Sequence, residues 1–189
     1  MRMQSGMKQT LPHPLYQQLG IYRHDVFIER LGWTLKVRDG LELDQFDRDD
    51  DTVYVVAQHD DGSISGCARL LPTVGPYLLS EVFPQLLNGL MPPSSPDVWE
   101  LSRFAAVDLS TKSGQGASAQ YSSPVALALL RAAMDCAHQL GAKRLITVSP
   151  VGVERLLNRA GIAAHRAGPP MIVNGHALTA CWIELEEPE

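Results

Sequence analysis

The segment Trp99-Glu100-Leu101-Ser102-Arg103-Phe104-Ala105 constrains this chain most. Its aromatic and aliphatic residues read as part of a strand over residues 98–107. A strand interior seldom accepts two charges unless each is paired or meets a ligand. Residues three apart on a strand point to opposite faces, so Glu100 and Arg103 need not pair with each other. Two surface charges on an edge strand would be the ordinary alternative. Trp99, Leu101, Phe104 and Ala105 around them argue for burial instead.

A second charged set lies upstream: Arg23, Asp44, Asp47 and Arg69, interleaved with Phe27 and Trp33. Taken by spacing alone, Asp44 and Asp47 belong to a solvated acidic loop over residues 39–51. The run lacks the glycine and terminal glutamate of an EF-hand. Carboxylates placed near Arg23, Arg69 and Arg103 would form a charge network. Such a network can hold an ammonium group while its arginines hold a carboxylate. Trp33 follows Gly32 and could lie over a flat ring or a cationic sulfonium. The set suggests a pocket for a small zwitterion carrying an aromatic ring.

The 189 residues suit one domain, 1–189, with a sizeable core. No apolar run approaches the roughly 20 residues of a membrane span, and the N-terminus has no signal-peptide stretch, so a cytoplasmic location is expected. A net charge of −5 argues against general nucleic-acid binding. Cys67, Cys136 and Cys181 have no CxxC spacing and read as small core residues. No metal site is expected, since none of the six histidines has ligand spacing on a helix.

Apolar periodicity predicts a helix over residues 14–31. Residues 52–58 and 63–71 read as a hairpin joined by Asp60-Asp61-Gly62. Residues 77–90 suggest a short helix, followed by a proline-rich loop. Residues 110–120 are small and polar and predict a mobile segment. Gly114-Gln115-Gly116 lies there, but Thr111 breaks the Arg/Gln-x-x-Gly-x-Gly/Ala pattern of acetyl-CoA binders. Pro124 opens a helix to Leu140. A strand at 144–149, a helix at 151–160 and strands near 170–173 and 178–185 complete the chain. The order predicts an α/β (α+β) three-layer αβα sandwich with a central mixed sheet.

Nine residues occur in a fixed order: Arg23, Phe27 and Trp33 in YRHDVFIERLGW, Asp44 and Asp47 in LDQFDRDD, Arg69 in GCARLLP, Phe83 after LLSEV, then Glu100 and Arg103 in WELSRFA. In these, and in VSPVGVERLLNRAGI, the chain resembles the acyl-homoserine-lactone synthases of bacterial quorum sensing. The resemblance implies a fold like the N-acetyltransferase sandwich. It implies that S-adenosylmethionine is a substrate and that an acyl-acyl-carrier protein is donor and partner, with no cofactor. The amine of S-adenosylmethionine would attack the thioester, and its carboxylate would then close the lactone and release methylthioadenosine.

That chemistry needs a proton acceptor, for which Glu100 is the candidate, and donors to the oxyanion, for which backbone N–H groups near Ser102 and Arg103 are candidates. By the same resemblance, Arg23, Phe27, Trp33, Asp44, Asp47, Arg103 and Phe104 shape the S-adenosylmethionine side, with Arg69 tying the acidic loop to the sheet. Leu101, Met134, Leu145, Thr147, Ser149 and Leu157 would line an acyl tunnel. Thr147 or Ser149 could donate to a 3-oxo group. Arg144, Arg155 and Arg159 would dock the acidic carrier protein. Two other readings stay open: an N-acetyltransferase using acyl-CoA, and a non-catalytic S-adenosylmethionine sensor. Oligomeric state and acyl length are not legible in the sequence.

Overall fold

The computed structural model describes residues 1–109 and 123–185. The chain divides into two compact units, Met1–Arg69 with Arg103–Ala133, and Leu70–Ser102 with Met134–Glu189. Among the described residues, eight strands form one mixed sheet. Its order is β1 (Arg2–Met7), β4 (Val53–Gln58), β5 (Ile64–Pro72), β6 (Val98–Ala105), β7 (Arg144–Pro150), β10 (His176–Glu184) and β8 (Ala164–Arg166), with β9 (Met171–Val173) beside β10. A separate hairpin pairs β2 (Val37–Arg38) with β3 (Leu41–Glu42). No helix among the described residues is long and apolar enough to cross a membrane.

In the first unit, β4 is rich in valine and buried at every position, as a strand paired on both sides should be. The predicted hairpin turn forms: Gly62 adopts φ 87°, and the Asp61 carboxylate accepts from the Ser63 N–H at 2.9 Å. Strand β1 was not legible, because RMQSGM is mostly polar; it pairs antiparallel with β4 at the sheet edge. Helix α1 (His13–Arg23) opens with proline in its first turn. Gly20 lets the helix approach the β2–β3 hairpin, since a Cβ there would lie 3.1 Å from the Leu41 Cβ. Leu15, Leu19, Tyr22, Val26 and Phe27 join Tyr54, Val56 and Cys67 in one core cluster.

In the second unit, β6 runs parallel to β7, with Val98 opposite Arg144 and Leu101 opposite Thr147. Strand β7 runs antiparallel to β10. Residues 77–90 form α2 (Leu78–Val82) and a 3₁₀ turn (Pro84–Leu87). Helix α3 (Pro124–Gln139) agrees with the sequence reading to one residue, and α4 (Val153–Arg159) is shorter than predicted. The Gly-Gln-Gly segment lies outside the described residues.

Candidate active site

The helix predicted over residues 14–31 changes type part-way. Beyond Arg23 it continues as a seven-residue π-helix, His24–Arg30. The wider turn closes with the Leu31 N–H donating to the Val26 carbonyl at 3.0 Å. Gly32, at φ 69°, then reverses the chain. The Trp33 N–H donates to the Phe27 carbonyl at 2.9 Å, and the two rings stack with centroids 5.0 Å apart. Phe27 is buried and Trp33 half-buried.

The acidic run is not the open loop its composition suggests. Asp44 caps a 3₁₀ turn, Gln45–Arg48, by accepting from the Phe46 N–H at 2.9 Å. Asp47 reaches back to the Asp44 N–H at 2.7 Å. This capping box turns both carboxylates inward onto arginines. Arg23 grips Asp47 with two bonds of 2.8 and 3.0 Å and sends its Nε–H to Glu42 at 2.6 Å. Arg69 donates to Asp44 at 2.6 Å and lies 3.1 Å from Asp47. Arg103 donates to Glu42 at 3.0 Å and to Asp44 at 2.8 Å. The Tyr54 hydroxyl adds a 2.9 Å bond to Asp47.

Glu42 and Tyr54 were missed by the sequence reading. The available signal for Glu42 was an acid between two leucines, Leu41 and Leu43, which implies burial of the residue between them only once the hairpin is known.

Three guanidinium groups therefore meet three carboxylates, and their exposure is graded. Arg23, Arg69, Glu42 and Asp47 are 0–2 % exposed, whereas the Arg103 and Asp44 side chains retain 6 % and 11 %. Burial alone would raise the Asp47 carboxyl, but Arg23 and Arg69 hold it far below the usual carboxylate range. Burial likewise opposes ionisation of Glu42, and Arg23 and Arg103 overcome it and lower its pKa. Burial raises the Tyr54 hydroxyl well above the usual phenol range, with the Asp47 charge adding to the effect. The three guanidinium groups are thus matched by three carboxylates within the chain. Asp44 and Arg103 are the network's less deeply buried members; Arg23, Arg69, Glu42 and Asp47 are sealed from solvent.

Arg103 itself has φ 49°, a left-handed conformation inside a strand. Its guanidinium also lies 5.8 Å from the centroid of the Phe27 ring. Phe104 is half-buried on the same strand.

In the second unit, Glu100 is fully buried and holds the start of α2. Its Oε2 accepts from the Leu78 N–H at 3.0 Å, and its Oε1 accepts from the Leu79 N–H at 2.6 Å. Ser102 is also buried. Phe83 caps the end of α2 and is half-buried. The β6–β7 register puts Leu101, Leu145, Thr147 and Ser149 on one face, with Glu100 on the other beside Ile146. The register with β10 adds Cys181 opposite Thr147 and Thr179 opposite Ser149, both buried; the sequence reading had Cys181 only as a small core residue and did not single out Thr179. The Thr147 and Ser149 hydroxyl oxygens are 3.4 Å apart. Leu157 is buried and Met134 half-buried.

The basic group separates. Arg144 lies 4.0 Å over the Trp182 ring and donates to Glu184 at 2.7 Å, so its charge is matched within the chain. Arg155 and Arg159 are exposed on α4.

Residues 9–188 match the sequence model of the autoinducer synthases. The chain belongs to the autoinducer synthase family. This synthase is 54% identical over 181 residues to an acyl-homoserine-lactone synthase of Acinetobacter nosocomialis, covering 96% of the chain and 98% of that relative. Among solved structures it is similar to TofI in a ternary complex with an inhibitor and MTA. The identity is 43%, the TM-score 0.82, and the match covers 98% of this chain and 92% of that one. It is also similar to BjaI, a CoA-dependent acyl-homoserine lactone synthase solved with SAM and isopentyl-CoA. There the identity is 28%, the TM-score 0.81, and coverage 97% and 82%. A TM-score of 0.62 at 17% identity to an N-acetyltransferase from Lactobacillus plantarum, covering 98% of this chain and 100% of that one, shows a shared fold alone. The synthase is thus an acyl-transferring enzyme on an N-acetyltransferase-like mixed α/β fold.

Proposed function

We propose that this autoinducer synthase acylates the amine of S-adenosylmethionine from an acyl-acyl-carrier protein in the cytoplasm, then lactonises the product. The amine nitrogen bonds to the thioester carbonyl carbon, the carbon–sulfur bond breaks, and the carrier thiol leaves with a proton. A carboxylate oxygen of the acylated intermediate next bonds to the carbon bearing the sulfonium. That carbon–sulfur bond breaks and methylthioadenosine departs. S-adenosylmethionine is consumed as a substrate, and no separate cofactor takes part.

The graded network carries this reading. A zwitterion meets a surface where one carboxylate, Asp44, and one guanidinium, Arg103, reach outward from a sealed, neutral base. Asp44 takes the ammonium and Arg103 the carboxylate, each keeping a buried counter-charge behind it. Trp33 covers the sulfonium or the adenine ring. Arg23, Arg69 and Asp47 act by fixing the outer pair. The face bearing Leu101, Leu145, Thr147 and Ser149 takes the acyl chain, with Leu157 and Met134 completing its lining and the two hydroxyls offering donors to an oxygenated chain.

Glu100 is the proposed proton acceptor, through water. Each of its oxygens accepts one backbone amide, which fixes the carboxylate on β6. Backbone N–H groups near Ser102 and Arg103 are the proposed donors to the oxyanion. Arg155 and Arg159 are the proposed docking charges for the carrier protein.

The test is mass spectrometry of reactions holding purified protein, S-adenosylmethionine and either acyl-acyl-carrier protein or acyl-CoA. N-acyl-homoserine lactone and methylthioadenosine in equal amounts from the carrier-protein arm are expected. Product from acyl-CoA alone would overturn the donor. Glu100→Gln is expected to abolish turnover and keep S-adenosylmethionine binding. Retained turnover with lowered stability would reduce Glu100 to an anchor for α2.

A further inference from the structure

Arg103 combines a side chain at the less buried edge of the charge network with a strained backbone. Its φ of 49° is one that L residues with long side chains rarely adopt, and it persists only where the surroundings over-determine it. Glu42, Asp44 and the Phe27 ring hold the guanidinium. The backbone is held separately. The Cys67 thiol, on the Arg69 side of β5, lies 3.2 Å from the Arg103 carbonyl oxygen and donates to it. Cys67 is 1 % exposed and packs in the same core cluster as Phe27. The strands are close here: a Cβ on the neighbouring Gly66 would sit 3.1 Å from the Ala105 carbonyl oxygen.

We propose that Cys67 is a positioning residue for S-adenosylmethionine: its thiol fixes the Arg103 carbonyl, and with it the left-handed bend that aims the guanidinium at Asp44. The proposal rests on reading Arg103 as the partner of the substrate carboxylate. Burial pushes the Cys67 thiol up to about 12, so it stays protonated and serves as a donor, not as a nucleophile. A thiol is a weak donor, so the effect is modest and specific. Simple core packing would instead make Cys67 tolerant of any side chain of similar size and indifferent to its hydrogen.

The test compares Cys67→Ser, Cys67→Ala and Cys67→Val with Arg103→Lys in the full chain. Serine keeps a donor, alanine removes it, and valine removes it while keeping the volume. Cys67→Ala and Cys67→Val are expected to raise KM for S-adenosylmethionine about three- to tenfold, with KM for the acyl donor unmoved. Cys67→Ser is expected to restore most of the loss. The proposal is overturned if the serine and valine variants shift KM equally, or if all three lower only the melting temperature. Arg103→Lys separates the two ideas. An unchanged KM in that variant removes the reading of Arg103 itself. A raised KM there, with Cys67→Val unchanged, removes only the role of Cys67.

Discussion

Trp33 lies on Phe27 with ring centroids 5.0 Å apart and planes 24° from parallel, and its backbone N–H closes onto the Phe27 carbonyl at 2.9 Å. The stack exists because the chain reverses at Gly32, just beyond the π-helix, and folds Trp33 back over Phe27. Its buried half, Phe27, lies against Arg103, while its outer half, Trp33, is half-exposed. Trp33→Ala is therefore expected to weaken S-adenosylmethionine binding about tenfold, the scale of one well-placed aromatic face on a cation. Trp33→Phe should fall between. Calorimetric titration reads this directly, and equal affinity in both variants would leave Trp33 as packing for Phe27.

Glu42 joins Arg23 to Arg103 and is fully buried. Removing its charge leaves two guanidinium groups short of a partner in a dry site. Breaking such a pair costs about 3–5 kcal/mol. Glu42→Gln should lower the urea midpoint with little change in slope. Asp44→Asn, at the exposed edge, should cost less. Equal losses would contradict the gradation of the network.

The same carboxylates set the acid response. Glu42 and Asp47 have pKa values lowered by folding, from ordinary values near 4.5 and 3.8. A group lowered by folding contributes stability in full above its unfolded value, and loses it as pH falls through its folded value. Stability from this network should be level from pH 7 to about pH 5 and decline below about pH 4. Urea midpoints across that range test it. Glu42→Gln should decline less steeply over the acid range, and an identical slope would assign acid unfolding to other carboxylates.

Gly168 passes so close to the 3₁₀ turn that an added Cβ would collide with the Leu86 carbonyl oxygen. Backbone atoms cannot yield as a flexible side chain does. Gly168→Ala should cost about 2 kcal/mol, lowering Tm by about 5 °C. A calorimetric scan with unchanged Tm would show that the loop relaxes freely.

Arg155 and Arg159 are exposed on α4, whereas Arg144 is held by Glu184 and Trp182. The double variant Arg155→Glu, Arg159→Glu should raise KM for acyl-acyl-carrier protein at least tenfold, with added salt weakening the parent enzyme. KM for S-adenosylmethionine should not move. Arg144→Ala should act mainly on stability. Salt-independent kinetics would place docking elsewhere.

Much of this could be read from the chain because local signals sufficed. The Asp60-Asp61-Gly62 turn, the valine-rich run of β4 and the Pro124 that opens the helix to Leu140 each report their element directly. The order of charged and aromatic residues likewise identified the family and the membership of the charge network, apart from Glu42 and Tyr54. Other features carry no local signature. The π-helix begins inside a pattern that reads as α-helix. Strand β1 has little β-propensity and exists because β4 offers it an edge. The acidic run looked solvated until a capping box turned it inward.

Sequence by itself determined the fold class, the family and most of the residues at the candidate site, because side-chain type and spacing carry that information. Only the tertiary structure decided which charges are most deeply buried, that Glu100 lies on the opposite side of the sheet from Leu145, Thr147 and Ser149, and that the Cys67 thiol meets the carbonyl of a positive-φ Arg103. Those are outcomes of register, burial and backbone strain, which arise between segments distant in the chain.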